Sequence, residues 1–300
     1  MPVTYRAARA EDLQRAGEVV VHSLNELCER HGFGPIATVR PPIFSQFSLR
    51  DDPDGLWLAE EADRILGFAF SWVCGDLWFL AQLFVSPGQQ GRGIGQELLR
   101  LTFKHAINAK AAVRALITPA FNNVSQGLYV RHGLFPRCSI YSFSVERDDL
   151  IRRLSEKEEL RCTPLTNAPS HFDHLATIDA CALGVSRAKH HRFLLNDGTS
   201  RGVMLYTDHE CVGYAYVAEG NIGPLAVTRK TLLRSAFRTA LKLAASGAAP
   251  QVSAFIPGPC EAALSVAIEH GMRIKVPMVL MSSSDFGNWA QYLPRNAGFM

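Results

Sequence analysis

The feature that most constrains this chain is an unbroken apolar segment followed by a cluster of glycines and an amphipathic helix. Residues 77–85 read Leu-Trp-Phe-Leu-Ala-Gln-Leu-Phe-Val, which is typical of a central strand buried on both faces. Three glycines follow within Gln90–Gly95, and the periodicity then predicts a helix from Ile94 to Lys110 with one narrow polar stripe. The chain therefore turns tightly from a buried strand into a mostly buried helix, which indicates an α/β arrangement.

The glycine cluster has the chemistry of an anion site. Glycine lets the backbone turn and approach a ligand without a Cβ in the way. The unpaired N–H groups at a helix start, together with the helix dipole, favour a bound pyrophosphate. The pattern lacks the Gly-Lys-Ser/Thr of a nucleoside-triphosphate loop, and it does not lie in a first βαβ unit of the dinucleotide-binding type. We therefore expect a phosphate loop of another kind.

Shorter periodic segments on both sides complete a first domain. Helical spacing predicts a first helix over Ala10–Arg30. The remaining predicted elements are strands at Val3–Arg6, Leu56–Glu60, Ile65–Cys74, Val113–Thr118 and Ser139–Val145, and a short helix at Val124–His132. Trp57, Trp72 and Trp78 fall in predicted strands, where core packing is the favoured interpretation.

The second half resembles a diverged copy of the first. Gly213-Tyr-Ala-Tyr echoes Gly67-Phe-Ala-Phe, Leu225-Ala-Val echoes Leu83-Phe-Val, and His270-Gly-Met echoes His132-Gly-Leu, in the same order. A length of 300 residues also suits two domains. We therefore predict a first domain at 1–147, a charged linker at 148–159 and a second domain at 160–300.

Composition excludes several classes of protein. The chain is 47% hydrophobic and 20% charged, which argues against wholesale disorder, and its net charge of +3 comes from scattered basic residues, so we expect no nucleic-acid partner. No apolar stretch is long enough for a signal peptide or a membrane span, and we expect a cytoplasmic protein without a membrane partner.

Metal binding is not indicated either. The seven cysteines are widely spaced without a Cys-x-x-Cys pair, and we expect them to be reduced and mostly buried. His190 and His191 are adjacent in sequence, so their side chains diverge in a helix or a strand. We therefore expect no metal site.

The motifs resemble those of the GNAT superfamily of acetyltransferases. The cofactor motif of that superfamily, Gln/Arg-x-x-Gly-x-Gly/Ala, is matched by Gln90, Gly93 and Gly95. The preceding Leu-Phe-Val-Ser-Pro at 83–87 looks like its splayed strand and turn. A second segment, Asn-x-x-Ser-x-x-Leu-Tyr-x-x-x-Gly-Leu at 122–134, is similar to its second cofactor segment. The resemblance covers roughly residues 3–145.

This resemblance implies a fold and a site. The fold would be α/β (α+β), with two GNAT-like domains that each have a mixed, largely antiparallel sheet with a splayed central strand, flanked by helices. The co-substrate would be acetyl-CoA, and no metal is expected. The backbone of Leu83, Phe84 and Val85 would bind the pantetheine arm. The pyrophosphate would be held by Gln90, Gly91, Arg92, Gly93, Ile94, Gly95 and Gln96.

Two side chains are implied to face the cofactor. Asn122 would lie along the pantetheine. Tyr129 would contact the cofactor near its sulfur and serve as general acid for the departing thiolate, since a phenol holds a proton without charge at neutral pH. The alternative for Tyr129 is core packing.

The second half departs from this pattern. Glu97 follows Val85 by twelve positions, which include the glycine loop. Thr231, the counterpart of Glu97 in the second half, follows Val227 by only four positions. The positions that match Tyr129 and Asn122 are Ala267 and Cys260. The chain thus resembles tandem GNAT proteins with one degenerate copy, and its aromatic tail at 286–295 is expected to pack against folded protein.

The sequence therefore predicts acetyl transfer from acetyl-CoA to an amine of a small molecule or peptide, by direct attack in a ternary complex. The general base stays open, because the strand at 80–83 has no carboxylate; Asp76, Glu26, His22 or a water chain could serve. A non-catalytic acyl-CoA sensor, a thiol or hydroxyl acceptor and a longer acyl group remain alternatives. A homodimer is the default assembly.

Overall fold

The computed structural model describes residues 2–154 and 160–300. The chain divides into two compact units, the first formed by Met1–Phe135 with Met281–Ser284 and the second by Pro136–Leu280 with Asp285–Met300. The predicted linker at 148–159 coincides in part with a helix, and its residues 155–159 lie outside the described residues.

The first unit is a mixed sheet with helices. Its elements are β1 (Thr4–Ala7), α1 (Leu13–Arg30), α2 (Ile43–Asp51), β2 (Leu56–Glu61), β3 (Arg64–Cys74), β4 (Leu77–Val85), α3 (Ile94–Asn108), β5 (Val113–Pro119) and α4 (Asn123–Arg131). Strands β1 to β4 pair in sequence order and antiparallel, and β4 then pairs with β5 in parallel.

The second unit has the same strand order. Its elements are β6 (Phe135–Glu146), α5 (Arg147–Arg153), β7 (Arg161–Pro164), α6 (Pro169–Leu183), α7 (Ala188–Asn196), β8 (Arg201–Thr207), β9 (Glu210–Ala218), β10 (Asn221–Val227), α8 (Leu233–Ala245), β11 (Gln251–Pro257), α9 (Glu261–Glu269), β12 (Arg273–Ser282) and β13 (Tyr292–Leu293). Strands β7 to β10 pair antiparallel and β10 pairs with β11 in parallel, so the predicted mixed, largely antiparallel fold is confirmed.

The internal repeat is also visible in the strand register. Gly67 pairs with Val85 across β3 and β4, and Gly213 pairs with Val227 across β9 and β10. At both glycines a Cβ would collide with the neighbouring strand: it would lie 3.0 Å from the Phe84 carbonyl oxygen at Gly67 and 2.5 Å from that of Ala226 at Gly213. The same close approach of backbones therefore requires glycine in both units.

Strand β6 belongs to the second unit although its sequence lies in the first half. It pairs antiparallel with β11, from Gln251 opposite Glu146 to Pro257 opposite Ile140. The boundary between compact units thus lies before β6, whereas the sequence analysis placed it after that strand, near residue 147. Local periodicity identifies a strand but does not identify the strand that pairs with it.

Two local features differ from expectation. The helix α2 was not predicted from the sequence, because it is short, follows Pro41-Pro42 and has no strong apolar stripe.

Among the seven cysteines three are buried, two are half-buried and two are exposed, all as free thiols, so the prediction of mostly buried cysteines was wrong. Trp72 and Trp78 are fully buried, as core packing requires.

A cluster of charged and aromatic side chains is buried in the second unit. Asp179 accepts hydrogen bonds from the Tyr214 hydroxyl at 2.6 Å and from Arg187 Nη2 at 3.1 Å, and its Oδ2 lies 3.0 Å from His191 Nε2. His191 Nδ1 lies 3.0 Å from the Tyr216 hydroxyl. Each of these side chains is fully buried or nearly so, which makes the network costly to break from one side.

Burial and charge in this cluster determine the protonation states of His190, His191 and Asp179. Burial lowers the pKa of His190 and of His191, and the charge of Arg187 adds to this effect. Burial alone would raise the pKa of Asp179, but the charge of Arg187 and the hydrogen bonds from His191 and Tyr214 outweigh burial and hold that pKa well below its ordinary value. The folded protein therefore keeps both imidazoles neutral and the carboxylate ionised at neutral pH.

This protonation state predicts destabilisation by mild acid. Unfolding returns both histidines to an ordinary pKa near 6.5, so the unfolded chain binds more protons below that pH. The free energy of unfolding should then fall as the pH drops below about 6.5, by at most about 1.4 kcal/mol per pH unit for each histidine. Asp179 adds to the loss only below its ordinary pKa, near pH 4. Urea unfolding between pH 7.5 and 5 measures the slope.

A variant with His190→Gln and His191→Gln should show a flatter dependence of unfolding free energy on pH. His209→Gln, at an exposed position, is the matched control and should keep the wild-type slope. Parallel curves for the double variant and the wild type would contradict the assignment.

Candidate functional site

The site begins where β4 separates from β5. The two strands pair from Leu77 opposite Val113 to Leu80 opposite Leu116, and no described pair joins them beyond that point. A bulge against β3 coincides with the separation, because Phe70 pairs with Gln82 but Ser71 pairs with Leu80, which leaves Ala81 between them. The last five residues of β4 therefore border an open cleft on the β5 side.

The backbone of β4 offers hydrogen bonds to this cleft. The Ser86 amide donates to the Leu66 carbonyl at 2.8 Å, so Val85 and its partner Gly67 form a non-hydrogen-bonded pair. The N–H and C=O of Val85 consequently point away from β3, and by alternation those of Leu83 do the same. Phe84 turns its peptide groups to β3 instead, so Leu83 and Val85 are the better candidates for backbone contacts with a ligand.

Two side chains donate hydrogen bonds to the last residue of β4. The Val85 carbonyl accepts hydrogen bonds from Gln90 Nε2 at 3.1 Å and from the Ser23 hydroxyl of α1 at 3.3 Å. The first brings the glycine loop back onto β4, and the second holds α1 beside the cleft. The sequence predicted Gln90 from its motif but gave no signal for Ser23.

The glycine loop has the conformation that the residue types require. Gly91 and Gly93 both have a φ of +80°, and a Cβ at either position would meet nothing within 4 Å. Gly93 is the N-cap of α3 and makes no side-chain cap, so the first amides of that helix depend on another acceptor. Gln90, Gly91, Arg92, Gly93 and Gln96 are exposed, whereas Ile94 is buried and anchors the helix. The loop thus presents backbone N–H groups to solvent at a positive helix end.

Arg92 adds the side-chain charge of the loop. It is 42% exposed, lies 3.2 Å from a Glu61 carboxylate oxygen and also contacts Gln89. An exposed ion pair of this kind is weak, so the guanidinium can exchange one anionic partner for another.

The second predicted segment lies on α4, directly after β5. Asn122 is the N-cap of this helix, and its Oδ1 accepts a hydrogen bond from the Ser125 amide at 3.2 Å. The ring of the preceding Phe121 stacks on Phe33 at 4.6 Å and contacts His31 at 4.9 Å. The end of α1 is therefore packed against the start of α4 by aromatic contacts.

Tyr129 lies one turn after Ser125 on the same helix. The ring is only 4% exposed. Burial strongly raises the pKa of its hydroxyl, and a hydrogen bond with Ser125 offsets this shift only in part. The phenol is therefore protonated throughout the physiological range, as a proton donor must be.

The three carboxylate or imidazole candidates occupy different places. Glu26 follows Ser23 by three residues on α1, so it lies on the same helix face, beside the open end of β4. Its Oε2 is shielded from solvent, lies 3.4 Å from Arg30 Nη2 and has no hydrogen bond within the described residues. Asp76 is exposed in the turn before β4, at the far end of the strand, and His22 points to solvent. Of the three, Glu26 lies on the helix that contacts the end of β4 through Ser23.

An apolar segment continues from the end of α1. Phe33, Ile36, Val39 and Ile43 are each between 38% and 45% exposed. Asn25 holds the segment, because its Oδ1 accepts from the Ile36 and Ala37 amides at 2.9 Å and its Nδ2 donates to the Ala37 carbonyl at 2.8 Å. The segment provides an ordered apolar surface next to the Phe121 contact.

The comparison with known families decides the identity of this unit. Residues 21–134 match the family model described as acetyltransferase (GNAT) family. The chain carries a GNAT-family domain. The matched residues span α1 to α4 and include the strand, the glycine loop and Tyr129, so the resemblance predicted from the motifs is confirmed.

Solved structures extend the likeness to both units. A proposed acetyltransferase from Pyrococcus horikoshii is 18% identical, with a TM-score of 0.79 over 99% of this chain and 96% of that one. A GCN5-related N-acetyltransferase from Sphaerobacter thermophilus is 16% identical, with a TM-score of 0.64 over 93% and 95%. A tandem GNAT protein from the clavulanic acid biosynthesis pathway is 14% identical, with a TM-score of 0.61 over 95% and 100%. At these identities the match shows a shared tandem GNAT fold. No curated protein sequence matches the chain.

Two features, a membrane-spanning helix and a metal-binding cluster, are absent from residues 2–154 and 160–300. None of the helices there combines the length and apolar character of a membrane span. In the same residues, no group of three or more histidine, cysteine, aspartate or glutamate side chains is arranged to hold a metal ion.

Proposed function

We propose that the first unit transfers an acetyl group from acetyl-CoA to an amine of a small molecule or peptide, by direct attack within a ternary complex. The observation that carries this proposal is the cleft between β4 and β5, which ends at a glycine loop on the N-terminus of α3. An extended ligand with amides along its arm and a pyrophosphate at its end has the chemistry to use both parts. Membership of the GNAT family supports acyl transfer.

The residues present fit acetyl-CoA. The peptide groups of Leu83 and Val85 face the cleft, as the two amides of a pantetheine arm require. The open space at Gly91 and Gly93 admits a pyrophosphate to the backbone N–H groups of the loop. Acetyl-CoA supplies the activated thioester carbonyl.

The proton steps are assigned to two side chains. Glu26 accepts a proton from the acceptor ammonium, which gives the neutral amine that attacks the carbonyl carbon. A C–N bond forms and the C–S bond breaks, and the Tyr129 hydroxyl donates its proton to the departing sulfur. The nitrogen loses its second proton as it becomes an amide, and that proton restores the Tyr129 hydroxyl. Two observations support these roles. Burial raises the pKa of Tyr129 and so keeps its phenol protonated, and Glu26 Oε2, although it lies 3.4 Å from Arg30 Nη2, accepts no hydrogen bond from the described residues.

Gly93→Asp should weaken acetyl-CoA binding at least about tenfold, because it adds bulk and negative charge where the pyrophosphate would lie. Calorimetric titration of the wild type should give one site per chain. Gly198→Asp is the matched control, since Gly198 also has a positive φ and open surroundings but lies in the second unit. Unchanged affinity in folded Gly93→Asp would overturn the site, and two sites per chain would contradict a degenerate second unit.

Tyr129→Phe should lower kcat roughly a hundredfold with little change in the affinity for acetyl-CoA, because the ring still packs while the proton donor is lost. Release of free thiol from acetyl-CoA in the presence of an accepted amine measures the rate. An unaltered kcat would assign Tyr129 to core packing alone.

Glu26→Gln should lower kcat/KM roughly a hundredfold near neutral pH. The defect should shrink as the pH approaches the pKa of the acceptor, because the amine then arrives without its extra proton. Asp76→Asn and His22→Asn serve as controls and should keep the wild-type profile. A constant defect at all pH values would indicate that Glu26 acts only through packing.

A further inference from the structure

The second unit has a cleft that corresponds to the cofactor cleft of the first. Strand β10 pairs with β11 only at Asn221 opposite Ser253 and Ile222 opposite Ala254. Its later residues separate from β11, as those of β4 separate from β5. The repeat matches Leu83 and Val85 to Leu225 and Val227, so the separated edges are equivalent.

This second cleft contains a segment of the chain itself. Strand β13 pairs antiparallel with β10, with Leu293 opposite Leu225 and Tyr292 opposite Ala226. The Val227 amide donates to the Gln291 carbonyl at 3.1 Å. Tyr292 and Leu293 are fully buried, so this short strand is an integral part of the unit.

A glutamine caps the strand end in both units. In the first unit Gln90 Nε2 donates to the Val85 carbonyl at 3.1 Å, and in the second Gln291 Nε2 donates to the Val227 carbonyl at 3.0 Å. Gln90 comes from the glycine loop and Gln291 comes from the tail. The tail therefore supplies a contact that the missing loop would otherwise have made.

The opposite side of the cleft is adapted to the tail as well. Cys260 occupies the position of Asn122, and its thiol lies 2.8 Å from the Trp289 carbonyl and 3.5 Å from the Tyr292 carbonyl, so it can donate to the tail. On β10, a Cβ at Gly223 would lie 2.5 Å from the Pro294 carbonyl oxygen. A larger residue there would displace the tail backbone.

We propose that β13 replaces, in the second unit, the pantetheine arm of an acyl-CoA and closes that cleft to acyl-CoA. An extended peptide suits this role because its amides repeat along the strand and pair with the β10 edge, as the two amides of pantetheine can pair with β4. The inference rests on the function proposed for the first unit. The second cleft is then a binding site for an extended chain of amides, and its occupant is β13, a segment of the same polypeptide.

Hydrogen–deuterium exchange of the full chain tests this proposal with and without acetyl-CoA. In the first unit, amides at 83–85 should become slower to exchange when acetyl-CoA binds. In the second unit, amides at 225–227 and 291–293 should exchange slowly already and should not respond. A response at 225–227 together with faster exchange at 291–293 would overturn the proposal, because acyl-CoA would then displace β13. No response at 83–85 would instead count against the function proposed for the first unit.

Variants of the tail provide an independent test. Gln291→Ala removes the hydrogen bond to the Val227 carbonyl, together with those to Asn288 and Cys181, and should speed exchange at 225–227 roughly fivefold. The matched control is Gln251→Ala, whose side chain bonds to Glu146 on a surface away from β13 and should leave that exchange unchanged. Equal exchange at 225–227 in wild type and Gln291→Ala would contradict the contact.

Leu293→Asp places a charge at a fully buried position and should release β13, whereas Leu293→Met conserves volume and should not. Free pantetheine at millimolar concentration is the probe, because it lacks the pyrophosphate that the second unit cannot bind. It should slow exchange at 225–227 in Leu293→Asp and leave wild type unaffected. Protection by pantetheine in wild type would show an open cleft, and no protection in folded Leu293→Asp would show that the cleft does not accept pantetheine.

Discussion

The separation of β4 from β5 is the constraint on which the first unit depends. Parallel pairing ends at Leu80, and beyond it the peptide groups of Leu83 and Val85 face a cleft instead of a neighbouring strand. Half-buried backbone groups need hydrogen-bond partners, and the Val85 carbonyl finds two in Ser23 and Gln90. Those two contacts hold α1 and the glycine loop at the mouth of the cleft. The amides that remain are available to a ligand with the hydrogen-bonding groups of a peptide.

In the second unit β10 also separates from β11, and a segment of the chain itself, β13, pairs with the freed edge of β10. The unit keeps the strand order, the Gly–Val pair at the end of the central strands and the separation of β10 from β11. It has lost the glycine loop, since β10 ends at Val227 and α8 begins at Leu233. The tail strand β13 pairs with the edge of β10 that faces the second cleft.

The two units also treat polar groups differently. In the first, Glu26 retains a shielded carboxylate oxygen without a hydrogen bond among the described residues, and the partly exposed Arg30 is its charged neighbour. In the second, Asp179 and Arg187 are fully buried, pair with each other and both contact the Tyr214 hydroxyl. Buried charges of this kind add specificity of packing only while every partner is present. The second unit thus incorporates an ion pair into its core, whereas the pair of Glu26 and Arg30 in the first is partly exposed.

The sequence by itself determined the local parts of this protein. The bounds of β4, the helix that follows the glycines, the internal repeat and the absence of a loop after Val227 could all be read from residue types and spacing, because apolar periodicity and glycine conformation act over a few residues. Only the tertiary structure decided that β6 pairs with β11, that β13 pairs with β10, and that Ser23 of α1 contacts the end of β4. These depend on contacts between residues far apart in the chain. Strand edges offer similar hydrogen bonds to any partner, so the choice among partners is made by the packing of the whole unit.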